Sequence, residues 1–263
     1  MNRDELLNQY ANGKRDFSFQ DLSRIKLRDK DLSGAIFVGA NLSYSSFKSG
    51  NLSDTNFSNA NLQNASLCDA NLENANFSNA DLRNIDISAE RHGKNANFTN
   101  ANFEGTDFDQ GIIEDADFSG ANFRNTRYLQ FWFERCNFTK TDFSNSFFVE
   151  STLDNSNFYQ ANFSKSFLEV TFRNSSLVEA NLEYAVLYLY INIVEQNINF
   201  ERAKFNKTIY HNEQKQYILP PKVDFSQLVN VIDKKDIIKV VKENVNLDNI
   251  KYRDRLIEYL SEM

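Results

Sequence analysis

Catalysis by side chains needs a nucleophile, an acid or base, and neighbours that hold them in place. The chain offers two histidines, His92 and His211, and two cysteines, Cys68 and Cys136. The histidines stand far apart and in different repeats of the pattern described below, so neither has a companion for sharing a proton or a metal. His92 falls in the charged stretch SAERHGKN and reads as an exposed loop residue. The cysteines show neither metal-ligand spacing nor a disulfide framework. Cys68 is expected at the surface, and Cys136 inside as a compact apolar residue. No phosphate-cradling glycine loop, nucleophile elbow or metal cluster stands in the sequence. No catalytic, cofactor-binding or metal residue is therefore assigned, and the chain is read as a non-enzyme without a cofactor.

With no reacting groups to position, the elements must serve another purpose, and their rhythm is unusual. In NLQNASLCDANLENANFSNADL, residues 61–82, an apolar side chain occupies every fifth place: Leu62, Leu67, Leu72, Phe77 and Leu82. A helix repeats at about 3.6 residues and a strand at about 2, so neither explains the beat. It runs from Phe17 to Ile87, resumes at Phe98 and continues to Phe163 or Leu168. It slips by one residue to Phe172, runs to Leu187, and returns at Phe200, Phe205 and Tyr210. Two places before each beat stands a small residue, such as Ala60, Ala65 or Ala70, with Asn or Asp often between.

Fixed self-similarity means a stacked array. One inward residue per five suggests that a pentapeptide forms one short side of a coil, and four sides make a turn of 20 residues. Positions 20 apart should then form columns, and they do. Phe17, Phe37, Phe57 and Phe77 make one; after a one-residue insertion it resumes as Phe98, Phe118, Phe138 and Phe158. Its neighbour reads Leu22, Leu42, Leu62 and Leu82, then Phe103, Phe123, Phe143 and Phe163. Parallel coils at about 4.8 Å spacing would stack these side chains inside.

The runs ANLEN (70–74), ANFSN (75–79) and ADLRN (80–84) resemble the pentapeptide-repeat family. The resemblance implies an all-β solenoid, a right-handed, quadrilateral parallel β-helix, over residues 15–212. Residues 1–14 read as a capping helix, with Asn2 and Glu5 as a capping box and Gly13 as the stop; such an opening helix is common in bacterial members. Residues 213–263 read as a linker and an α-helical cap. This segment is the expected contact if the chain is a homodimer rather than a monomer, because topoisomerase-binding members of the family pair through C-terminal elements. The interruption at 88–95 is explained by a one-residue bulge, and the apolar insertion at 188–199 is expected to pack against the C-terminal helices.

The net charge of −7 argues against direct nucleic-acid binding. No apolar run reaches the length of a membrane span, and MNRDELLNQY lacks the start of a signal peptide, so a cytoplasmic protein is expected. Residues 41–125 carry twelve acids against five bases. Family members that act on DNA gyrase resemble duplex DNA in width and charge, which makes gyrase one possible partner. Four coils span about 20 Å, along which DNA displays roughly 12 negative charges; the net of −7 here is a diluted imitation.

The outer surface holds a second candidate. In YLQFWFERC (128–136), Phe131 fills a slot meant for a small residue and Trp132 should point outward with Leu129. Val149 should lie over Leu129, Phe147 beside it, Phe167 above Phe147, and Ile112 below Trp132. An exposed apolar patch of this kind marks a site for a protein partner, whose identity the sequence does not reveal. The reading is thus a rigid, non-catalytic scaffold that binds protein through its sides, with a gyrase-directed DNA mimic as the alternative.

Overall fold

The computed structural model describes residues 1–189, 196–206, 208–212 and 229–230. One pentapeptide, 61–65, shows why the chain coils. The N–H of Asn61 donates to the carbonyl of Ala40 in the preceding coil at 3.0 Å, and that of Leu62 to Asp81 in the next at 2.8 Å. The N–H of Gln63 has no backbone acceptor and donates instead to the Asn61 side-chain oxygen at 3.1 Å. Asn64 reaches the Arg83 carbonyl at 3.0 Å, and Ala65 closes the turn onto Leu62 at 3.0 Å. All five donors are used, which a buried backbone requires.

The composition of the repeat follows from this geometry. The third residue needs an acceptor two places back, so Asn or Asp precedes the apolar residue. The fourth residue turns left-handed, with φ of 57° at Asn64, a conformation Asn tolerates better than most. The second and fifth point inward, where Leu62 and Ala65 are fully buried.

Repetition of this unit builds a four-sided parallel β-helix. One column of parallel bridges climbs from Asp16 through Ile36, Asn56 and Asn76 to Asn199. Its steps are 20 residues, except 21 from Asn76 to Asn97, 19 from Asn157 to Ser176 and 23 from Ser176 to Asn199. Those exceptions are the insertions and the slip seen in the rhythm. Inside, the Phe column stacks nearly face to face: the ring centroids of Phe98 and Phe118 lie 4.8 Å apart at 3°. Phe103 and Phe123 do the same at 4.6 Å and 5°. Each buried ring contributes about 1.5–3 kcal/mol.

Helix α1 (Arg3–Ala11) closes the first coil. The Asn2 side chain accepts from the Glu5 N–H at 2.9 Å, and Gly13 follows with φ of 92°. Leu6 is fully buried, and Met1, Leu7 and Tyr10 pack against the core. The helices expected after residue 212 and the centre of the 188–199 insertion lie outside the described residues.

On one side the short bridges lengthen into a parallel sheet whose strands follow in chain order: β1 (Ala89–His92), β2 (Asp107–Glu114), β3 (Arg127–Glu134), β4 (Phe147–Asp154), β5 (Phe167–Thr171), β6 (Val186–Leu189), β7 (Ile209–Asn212) and β8 (Val229–Asn230). His92, expected in a loop, ends β1. Its segment pairs with β2 across a register shift between Ala89 and His92, because one inserted residue bulges while the ladder continues. The eight-residue strands replace two turns each and bend at Gln110, Gln130 and Glu150, whose φ values are 48°, 50° and 48°. A second shift, between Phe148 and Ser151, absorbs the slip toward Phe172.

Candidate functional site

The outward face of β2–β4 begins with an anomaly on its inner side. Phe131 occupies a small-residue slot and is fully buried. It fits because Gly111 is its register partner in the coil before, while its N–H meets the Ser151 hydroxyl of the coil after. A ring flanked by a glycine and a serine has the volume it needs. With Phe131 fixed inward, strand alternation turns Trp132 outward.

Trp132 is 50% exposed, and its register partners are Ile112 below and Thr152 above. Ile112 and Leu129 are half-buried, and Leu129 aligns with Val149 as expected. The expected exposure of three other members is corrected by the structure. Phe147, Val149 and Phe167 are only 6%, 5% and 1% accessible. The Phe147 and Phe167 rings lie with centroids 5.0 Å apart, tilted by 36°, and Val186 continues that column. The patch contracts to Trp132, Ile112 and Leu129.

Two places beyond Trp132 runs a column the apolar reading had passed over: Glu114, Glu134 and Asp154, aligned in register. Its signal was in the sequence, as acids 20 apart. Ile112, Glu114, Trp132, Glu134, Thr152, Asp154 and Asn155 enclose a groove of about 290 Å³. Arg135 lies at one edge, 3.4 Å from Glu114, 2.7 Å from Asp115 and 2.6 Å from Glu134. The Arg135 hydrogen bond holds the Asp115 carboxyl below its ordinary range. Asp154 is fixed by the Thr171 hydroxyl and the Arg173 N–H, both at 2.8 Å.

A second groove, of about 350 Å³, is lined by Asn84, Ile85, Asp86, Ser88, Gly105, Asp107, Asp109 and Arg127. Arg127 already lies 3.8 Å from Asp107 and 4.0 Å from Asp109. Phe19 and Tyr44, 78% and 56% exposed near the first coils, were also missed by the sequence reading. They stand at left-handed turn positions, with φ of 58° and 60°, where Asn is usual. Gly39 leaves room for the Phe19 ring, which a Cβ there would meet at 2.7 Å.

The thiols are not activated. Burial pushes Cys136 up to about 12. Burial also raises Cys68, which is partly exposed and 3.3 Å from the Asp69 carboxylate. A reactive cysteine needs the opposite surroundings. Among the described residues no group of three or more His, Cys, Asp or Glu is placed to hold a metal ion, and no helix is long and apolar enough to cross a membrane.

The chain is similar to several proteins of known structure. HetL, a pentapeptide repeat protein involved in heterocyst differentiation regulation in the cyanobacterium Nostoc sp. strain PCC 7120, is 23% identical, covering 80% of this chain and 97% of its own with a TM-score of 0.31. QnrB1, a plasmid-mediated fluoroquinolone resistance protein, is 17% identical, covering 76% and 91% with a TM-score of 0.39. Rfr23 from the cyanobacterium Cyanothece 51142 is 18% identical, covering 49% and 96% with a TM-score of 0.32. None of the curated proteins matches the chain. The family profile described as Pentapeptide repeats matches eight copies, over residues 16–54, 51–88, 94–127 and 133–169. With more than half of its length matched by that profile, the chain belongs to the pentapeptide-repeat family.

Proposed function

We propose that this chain is a rigid, non-catalytic scaffold that binds a protein partner through the outer face of β2–β4. The observation that carries the reading is Trp132, half-exposed in a groove of a sheet in which Phe147, Val149 and Phe167 are covered. A large exposed aromatic with half-buried apolar neighbours is the usual core of a recognition patch. Affinity capture from the native host tests it. The wild-type chain is expected to retain a defined partner that Trp132→Ala loses while keeping its circular dichroism and melting temperature. Equal recovery by both proteins would remove the face from consideration.

A second reading, a DNA mimic directed at DNA gyrase, is favoured by the acidic excess in residues 41–125. It ranks lower because at least six of those twelve acids (Asp69, Asp81, Asp107, Asp109, Glu114 and Asp115) have a cation within 4.0 Å. Their outward field is weakened accordingly. A supercoiling assay unaffected by excess protein would eliminate this reading.

A further inference from the structure

The groove at Trp132 also has a charge. Glu114, Asp115, Glu134 and Asp154 gather around it or at its edge, and among the described side chains Arg135 and Lys94 are the cations that face them. Among those described side chains, four acids against two bases leave an excess of two negative charges. Among the described residues no lysine or arginine lies over the Trp132 ring, although the chain stacks Arg15 on Tyr10 at 4.0 Å and Arg24 on Tyr44 at 5.0 Å. A half-exposed indole beside excess carboxylate attracts a cation, electrostatically through the ring and directly through the acids.

We infer that the groove takes an arginine side chain presented by the protein partner, its guanidinium stacked on Trp132 and hydrogen-bonded to the Glu134 side of the wall. A planar guanidinium suits this site better than an ammonium, because it can lie on the ring while its edge addresses a carboxylate. The inference rests on the proposed docking face and specifies the chemistry that the face recognises.

Trp132 is the one tryptophan of the chain, so its emission reports the site directly. The test is a titration at low salt with an end-blocked triarginine peptide, the matching citrulline peptide and free arginine amide. The expected result is a saturable change with triarginine, at least about tenfold tighter than with citrulline. The response should weaken severalfold in Glu134→Gln and in Glu114→Gln, and should diminish with added salt. Equal affinity for citrulline, or the absence of saturation, overturns the inference. Free arginine amide binding as tightly as the peptide also overturns it, by assigning the groove to a small cation. Partner capture that depends on Trp132 but not on Glu134, together with a flat arginine titration, would retain the docking face and remove the arginine.

Discussion

Individual residues in this protein are constrained mainly by the room the neighbouring coils leave them. Phe131 is the sharpest case: its ring is accommodated by Gly111 on one side and Ser151 on the other. Phe131→Ala is expected to cost about 3–5 kcal/mol in chemical denaturation, the usual penalty for an aromatic removed from a packed core. Tyr128 makes the opposite point. Its ring stacks on Phe148 at 4.0 Å in the interior, where its hydroxyl forms no hydrogen bond of good geometry. Burial pushes its pKa well up, with the Thr126 hydroxyl opposing. Tyr128→Phe should therefore be neutral or stabilise by about 1 kcal/mol; a loss of similar size would show that the hydroxyl is bonded. The correction at Phe147 also alters a substitution aimed at the patch. Trp132→Ala should leave the melting temperature unchanged, whereas Phe147→Ser should lower it, since Phe147 is a packed side chain and not a surface one.

At the scale of the element, the turn explains both what could be read in the sequence and what could not. The inward columns were legible because burial imposes residue type: Phe17 to Phe158 stand where the rhythm puts them. The role of Asn and Asp was not, since only the hydrogen bonds reveal that they serve the third N–H of each turn. The long strands β2–β4 were hidden as well, because eight residues of strand occupy the same length of sequence as the turns they replace. Alternation gave the direction of Phe147, Val149 and Phe167, but not the neighbours that cover them. The acidic wall was available as a column 20 apart, and it escaped a reading that followed apolar residues.

The polar ladders have a direction with a measurable consequence. Asn41 donates to Asp21 and Asn51 to Asp31, each from the later coil to the earlier, so the first rung needs only to accept. An ionised Asp does this well. In the first coil, hydrogen bonds from Ser18, Ser23 and Ser33 hold Asp16, Asp21 and Asp31 below the ordinary carboxylate value. A depressed carboxylate contributes its stabilisation above the unfolded pKa of about 3.9 and loses it as pH falls through the folded value. The melting temperature should accordingly be flat near neutrality and fall below about pH 4. The triple variant Asp16→Asn, Asp21→Asn, Asp31→Asn keeps the acceptors and should show a shallower acid limb in melts across that range.

For the whole molecule, stability is approximately a sum over coils and the contacts between them. Deleting one complete coil, residues 51–70, should preserve the β-rich circular dichroism and cooperative melting, because Asn41 and Ser46 would then pair with the residues that now sit one coil further on. Deleting ten residues would rotate the columns by half a turn and should abolish folding. The interior repeats and so carries little specificity; what differs from coil to coil is written on the outside. There the sheet side changes from polar at Asp107 and Arg127 to covered apolar at Phe147 and Phe167, with Trp132 exposed at the boundary.

Quenching of tryptophan emission by acrylamide, with and without the captured partner, tests that claim most directly. A half-exposed indole predicts strong quenching in the free protein and marked protection in the complex. Emission that resists acrylamide in the free chain, or remains equally accessible when the partner is bound, would contradict it.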